Sequence, residues 1–147
     1  MVAACRTPIG AFDGSLKDVR SHVLGATVIK ELARRTKIDP KIIEDVRFGC
    51  CFPDIDAINI ARVSSLVAGF PDTVPAATVN RVCTSGREAV HGAVNQIAIG
   101  FADVMVAGGT ESMSYQPYLL PKARFGYRLQ DGECVDRMIR GCEHVLF

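Results

Sequence analysis

No apolar run in this 147-residue sequence approaches the length of about 20 residues that a bilayer-spanning helix needs. The net charge is only +1, too small for the basic field that draws a chain to nucleic acid or to an acidic membrane. The first residues, Met1-Val2-Ala3-Ala4-Cys5, lack a basic stretch followed by an apolar core, so no secretory signal is read there. Six cysteines are present, yet no C-x-x-C pair occurs, and His22, His91 and His144 are too scattered to complete a zinc pattern. No metal site is therefore expected. Cys50 and Cys51 are adjacent, a spacing that strains a disulfide, and a reduced intracellular protein is the expectation. The location expected is cytoplasmic, with an organelle left open. Internal repeats and low-complexity tracts are also missing, which excludes solenoids and long flexible linkers.

With 48% hydrophobic residues, the chain can bury roughly two-thirds of its unfolded surface as one domain. Met1 to Cys5 reads as a strand and Thr7 to Ser15, with Pro8, Gly10 and Gly14, as a loop. A helix is expected from Ser21 to Arg35, with Leu24, Val28 and Leu32 inward and Arg34 and Arg35 near its negative end. Asp39-Pro40 has the chemistry of a helix start, and Val46 to Cys50 follows as a strand. Phe52 to Asp56 is a loop, and Ile58 to Ala68 is a helix closed by Gly69 and Pro71. Its apolar residues run around much of its circumference, which implies cover on more than one side. Strands alternating with helices give an α/β class with a largely parallel sheet. Beyond Ser114 periodicity is lost: Tyr115 to Gly132 reads as an excursion, followed by a helix from Glu133 to Arg140.

The chain is organised around Val79-Asn80-Arg81-Val82-Cys83-Thr84-Ser85-Gly86. Ala76 to Val82, rich in Thr and Val after Pro75, reads as a buried strand. From Arg87 to Ile99, Ala89, Val90, Ala93, Val94, Ile97 and Ala98 form an apolar stripe at helical spacing, and Gly100 supplies the stop. Cys83 thus falls where a strand hands over to a helix, and the positive helix end favours a thiolate there. Ser85 is a candidate cap, and Gly86 permits close approach of backbone or substrate. The plain alternative is that Cys83 is a small core residue.

A further strand, Val104 to Ala107, runs into Gly108-Gly109-Thr110-Glu111-Ser112-Met113-Ser114. Together, VNRVCTSG, the helix after it and VAGGTESMS resemble the thiolase family, whose nucleophile is the cysteine of a CxSG motif. Arg6-Thr7-Pro8-Ile9-Gly10, Asn59-Ile60-Ala61-Arg62 and Leu120-Pro121-Lys122-Ala123-Arg124 extend the resemblance across almost the whole chain. It implies the first half of a layered αβαβα fold over residues 1–114 and the start of a loop domain over residues 115–147. It implies a reversible Claisen condensation of two acetyl-CoA molecules to acetoacetyl-CoA, with Cys83 as acyl-thioester nucleophile and its backbone N–H in the oxyanion hole. Coenzyme A is then a substrate and no cofactor is implied. Acyl-CoA substrates and a homo-oligomer, dimer or tetramer in full-length thiolases, are the expected partners; nucleic acid and membrane are not.

Thiolases also carry an Asn-Glu-Ala motif, a Gly-His-Pro histidine and a Cys-x-Gly cysteine in their second half, and none of these occurs in this sequence. His91 would lie roughly 12 Å along the helix from Cys83, out of reach as a base. Glu111 reads as a structural hydrogen-bonding residue. The chain therefore reads as an N-terminal fragment carrying the nucleophile half and inactive alone. Arg87 stands where thiolases usually have an apolar residue, and Phe52 to Asp56 replaces a stretch that packs near their dimer interface. The other readings are a 3-ketoacyl-CoA thiolase of fatty-acid breakdown, a truncated non-catalytic dimerisation module, and a thiol redox protein. The last is disfavoured by the absence of a resolving cysteine at motif spacing.

Overall fold

The computed structural model describes residues 1–143; His144 and the three residues after it lie outside them. Its centre is a three-stranded parallel sheet in the order β2-β1-β3, with β1 Asp45–Gly49, β2 Ala76–Val79 and β3 Met105–Gly109. β1 pairs with both neighbours, Gly49 lying opposite Val79 on one side and Gly109 on the other. Parallel pairing requires crossovers. They are supplied by α2, Ile60–Val67, between β1 and β2, and by α3, Ser85–Ala98, between β2 and β3. A 16-residue helix α1, Ser21–Thr36, precedes the sheet.

Alternation along β1 sends its side chains to opposite faces, and this decides which helix lies where. Phe48 points to the α1–α2 side: a Cβ placed on Gly25 of α1 would lie 2.5 Å from Ser64 Oγ of α2 and 3.2 Å from Phe48 Cε2. Glycine there lets the two helices and the phenyl ring meet. Val46, Phe48, Ile29, Ile60 and Phe70 form the centre of the buried cluster on this face. Arg47 and Gly49 face α3: a Cβ on Gly92 would lie 3.4 Å from the Arg47 guanidinium. Arg47 pairs with Asp45 at 2.9 Å. Glu44 ties the sheet at its start, its carboxylate accepting the Asp103 and Val104 amides at 2.5 and 3.0 Å. Those amides hold the Glu44 carboxyl below its ordinary range.

Several expectations are corrected. Met1 to Cys5 forms no strand. It lies beside α1 instead, where the Cys5 thiol donates to the Val28 carbonyl at 3.4 Å, and it shares no ladder that would hold it extended. Asp39 caps a 3-10 turn, Pro40–Ile42, by accepting from the Lys41 amide, rather than an α-helix. The strand expected over Ala76 to Val82 stops at Val79 and is half-buried, because it is an edge of the described sheet. The helix expected from Glu133 begins later, as α4 Arg137–Glu143. Val135–Asp136 is taken up as β5, antiparallel to β4, Tyr118–Leu119, and Asp136 Oδ1 then caps α4 through the Met138 and Ile139 amides at 2.8 and 3.2 Å. The other helices lie close to expectation, and Gly69 and Gly100 take the positive φ that ends α2 and α3. Among the described residues no helix is long and apolar enough to cross a membrane.

The apolar stripe of α3 divides. Ala89 and Ala93 are buried against the sheet, whereas Val90, Val94 and Ile97 are 46%, 56% and 44% exposed. α2 likewise buries Ile60 and Ala61 but leaves Leu66 and Val67 exposed. Two helices thus present branched apolar side chains to solvent, the surface of an interface or of an aggregation hazard. The chain studied by itself is expected to self-associate, and light scattering during size-exclusion chromatography measures this. A stable monomer across a wide concentration range would show these faces to be harmless. Truncating the central ring, Phe48→Ala, is expected to cost about 3–5 kcal/mol in urea unfolding.

Candidate functional site

Cys83 lies between the end of β2 and the start of α3, in a turn held by its neighbours. The Thr84 amide donates to the Arg81 carbonyl at 3.2 Å and the Ser85 amide to the Val82 carbonyl at 3.1 Å. Ser85 is not the cap expected of it: the helix cap is Thr84, without a side-chain bond. Ser85 is buried and folds back on the turn, its hydroxyl accepting from the Arg81 amide at 2.8 Å and donating to the Val82 carbonyl at 2.6 Å. Asn80 Oδ1 accepts from the Val82 amide at 3.0 Å, and Asn80 Nδ2 donates to the Cys51 carbonyl at 3.0 Å. These bonds hold Val82 at φ 52°. A β-branched residue in that left-handed region carries strain of about 1–3 kcal/mol, of the kind that persists where surroundings over-determine it.

The turn is pressed against the sheet by absent side chains. A Cβ on Gly49 would fall 2.1 Å from the Ser85 carbonyl carbon and 2.2 Å from the Gly86 nitrogen. A Cβ on Gly109 would fall 2.8 Å from the Gly49 carbonyl oxygen and 3.2 Å from the Gly86 Cα. Three glycines from β1, α3 and β3 therefore bring the first turn of α3 onto the strand ends. Of these, sequence reasoning singled out Gly86 for close approach and missed Gly49 and Gly109 in that role. It also missed the bridging of Asn80.

Cys83 is exposed, not a core residue. It lines a cleft of ≈ 710 Å³ with Cys51, Phe52, Met113, Met138 and Cys142, so the wall is largely apolar or sulfur-bearing. Glu111 acts as the structural residue expected of it: its carboxylate accepts the Cys51 amide at 2.7 Å and the Phe52 amide at 3.1 Å, fixing the loop after β1. The Cys50 thiol donates to the same carboxylate at 3.5 Å. Burial first, and then the Glu111 charge, pushes the Cys50 thiol well above its ordinary value. Of the histidines described, His91 is exposed on α3, and His22 lies at the start of α1 with its Nδ1 2.8 Å from Asp54 Oδ2. Neither lines the cleft.

Among the described residues, the one grouping with metal-ligand character is His22, Asp54 and Asp56, with one ligand atom from each within 4.8 Å of the others. Both carboxylates already have a partner: Asp56 pairs with Arg20, and Asp54 with the imidazole and backbone amide of His22. The grouping secures the start of α1, which has no cap of its own.

The thiolase N-terminal domain family matches residues 1–145. The chain belongs to the thiolase family. It is 46% identical over 143 residues to an acetyl-CoA acetyltransferase of Syntrophomonas wolfei, covering 96% of this chain and 36% of that protein. A probable acetyl-CoA acyltransferase of Staphylococcus aureus is 40% identical over 139 residues, covering 95% and 35%. The fold matches the crystal structure of the Bacillus anthracis acetyl-CoA acetyltransferase with a TM-score of 0.91 and 43% identity, over 95% of this chain and 36% of that one. The mixed helix and parallel-sheet architecture is therefore the thiolase one, and the chain spans about a third of the length of these relatives.

In this thiolase N-terminal region Cys83 is expected to be alkylated first of the six thiols. Limiting iodoacetamide followed by peptide mapping tests this, and prior labelling of Cys134 or Cys142 would contradict it. Gly49→Ala is expected to displace the first turn of α3 and erase that preference. Chemical denaturation run alongside will show the protein still folded if the effect is local.

Proposed function

We propose that this chain carries the nucleophile half of a thiolase-type acyltransferase, with Cys83 as the acyl acceptor. The observation that carries the reading is an exposed thiol at the N-terminal end of a 14-residue helix, facing a cleft. The partial positive charge of that helix end stabilises negative charge that develops during acyl transfer. The Cys83 thiolate attacks the thioester carbonyl of acetyl-CoA, the tetrahedral intermediate collapses with cleavage of the carbon–sulfur bond to CoA, and the CoA thiolate leaves and takes up a proton from solvent. Covalent capture divides one difficult condensation into two easier steps. The Cys83 N–H is one donor to the oxyanion, and losing such a donor typically costs about a hundred-fold or more.

In the second step a second acetyl-CoA loses an α-proton, its carbanion attacks the acyl-thioester, and acetoacetyl-CoA departs as the Cys83 thiolate is restored. That step needs a base, and neither His22 nor His91 faces the cleft. Residues 1–114 form the nucleophile half, and residues 115–147 are the beginning of a loop domain. A homo-oligomer is the expected assembled state. The apolar wall of Phe52, Met113 and Met138 favours, as a second reading, a 3-ketoacyl-CoA thiolase taking longer acyl chains.

The test is acyl capture rather than turnover. Incubation with acetyl-CoA is expected to add one acetyl group to the peptide bearing Cys83, and Cys83→Ser is expected to abolish it. Acetylation of another cysteine would overturn the assignment. Steady acetoacetyl-CoA cleavage by this chain alone, near the ~10 per second of ordinary enzymes, would show that it holds a base of its own. Relative capture from acetyl- and longer acyl-CoA decides between the two readings.

A further inference from the structure

Cys51 and Cys142 both open into the cleft that holds Cys83, although neither lies near it in sequence. Cys51 follows β1 by two residues, and the loops on either side are tied together. The Cys50 amide donates to the Val79 carbonyl at 3.1 Å, and Asn80 Nδ2 donates to the Cys51 carbonyl at 3.0 Å. Asn80 then holds the Val82 amide through Oδ1 at 3.0 Å, one residue before Cys83. Cys142 belongs to α4, which lies over the same loop. A Cβ on Gly141 would lie 2.6 Å from the Phe52 ring, and the Arg137 guanidinium donates to the Pro53 carbonyl at 3.1 Å.

We infer that Cys51 is a resolving thiol for Cys83, converting a peroxide-oxidised Cys83 into an intrachain Cys51–Cys83 disulfide. The Cys83 thiolate attacks hydrogen peroxide, an S–O bond forms as the O–O bond breaks, and a sulfenic acid and hydroxide result. The Cys51 sulfur then attacks the Cys83 sulfur, the S–O bond breaks, and the oxygen leaves as water after taking up a proton. Two thiols are oxidised by two electrons, and one peroxide is reduced to two waters.

The two thiols differ in a way that suits these roles. Cys83 is exposed and Cys51 is half-buried. Burial pushes the Cys51 thiol up first, followed by the facing charges of Glu111, Cys83 and Cys142, with Arg137 opposing. Cys51 is thus a poor first target for peroxide. Asn80 holds the Cys51 carbonyl and the Val82 amide next to Cys83 at once, which favours Cys83 as the closing partner. The consequence, reversible protection of an acyl-accepting nucleophile, rests on the proposed role of Cys83; the disulfide itself does not.

The experiment treats the full chain with stoichiometric hydrogen peroxide, blocks free thiols with N-ethylmaleimide, and maps unreduced peptides by tandem mass spectrometry. The expected result is a peptide pair joined through Cys51 and Cys83, lost on adding dithiothreitol. In Cys51→Ser the pair is expected to vanish and Cys83 to proceed to sulfinic acid, whereas Cys142→Ser should leave the pair intact. Circular dichroism of both variants establishes that they fold. Equal over-oxidation of Cys83 in wild type and Cys51→Ser, a Cys83–Cys142 link, or a link between chains on a non-reducing gel would each overturn the proposal. Acetyl capture, measured separately, reports on the nucleophile reading whichever way the disulfide result falls.

Discussion

The close approach of the first turn of α3 to the end of β1 governs the candidate site. Backbone packs directly on backbone where Gly49, Gly86 and Gly109 leave out side chains, and a single Cβ on Gly49 would sit inside the Ser85 carbonyl. A helix held this tightly presents its N-terminal end at the edge of the sheet, with the adjoining turn fixed in position. The Ser85 hydroxyl and the Asn80 carboxamide then hold Val82 in a backbone region a β-branched residue avoids. Cys83, the next residue, is exposed as a result.

The same arrangement joins three parts of the chain that the sequence keeps far apart. Glu111, just beyond β3, accepts the amides of Cys51 and Phe52, just beyond β1. Gln116 Nε2 donates to the Phe52 carbonyl at 2.8 Å, and Gln116 Oε1 accepts from Arg137 at 2.9 Å. Arg137 also stands over the Phe52 ring, 5.4 Å from its centroid. The cleft walls are therefore tied together: the loop after β1 is hydrogen-bonded to the turn bearing Cys83 through Asn80 and to α4 through Arg137.

Packing on the two faces of the sheet is unequal. The α1–α2 face is closed by large side chains around Phe48. The α3 face is thinner: apart from Arg47 it meets α3 through glycine and through the buried Ala89 and Ala93, because only small residues let the first turn of α3 sit as low as the site requires. The branched side chains of α3 fall on its outer surface. A low-lying helix and an apolar outer face are thus two results of one arrangement of residues along α3.

Much of this was legible in order along the chain. Helical spacing marked α1, α2 and α3; runs of Val, Thr and Phe marked the strands; and Gly69 and Gly100 marked helix ends, since positive φ is cheap only for glycine. The handover from strand to helix at Cys83 was readable because it is a local event. The division of the α3 stripe into a buried alanine row and an exposed valine row was not, because periodicity shows an apolar side without saying what covers it. The absence of a strand at Met1 to Cys5 and the later start of α4 depended on pairing, a property of two segments at once. So did the roles of Gly49, Gly109 and Asn80, and the meeting of Cys51, Cys83 and Cys142 in one cleft. The sequence by itself determined the elements and the one residue whose chemistry stands out, because those follow from nearest neighbours. Tertiary structure alone decided what lies around that residue, because close backbone approach and shared walls are made by residues from distant strands.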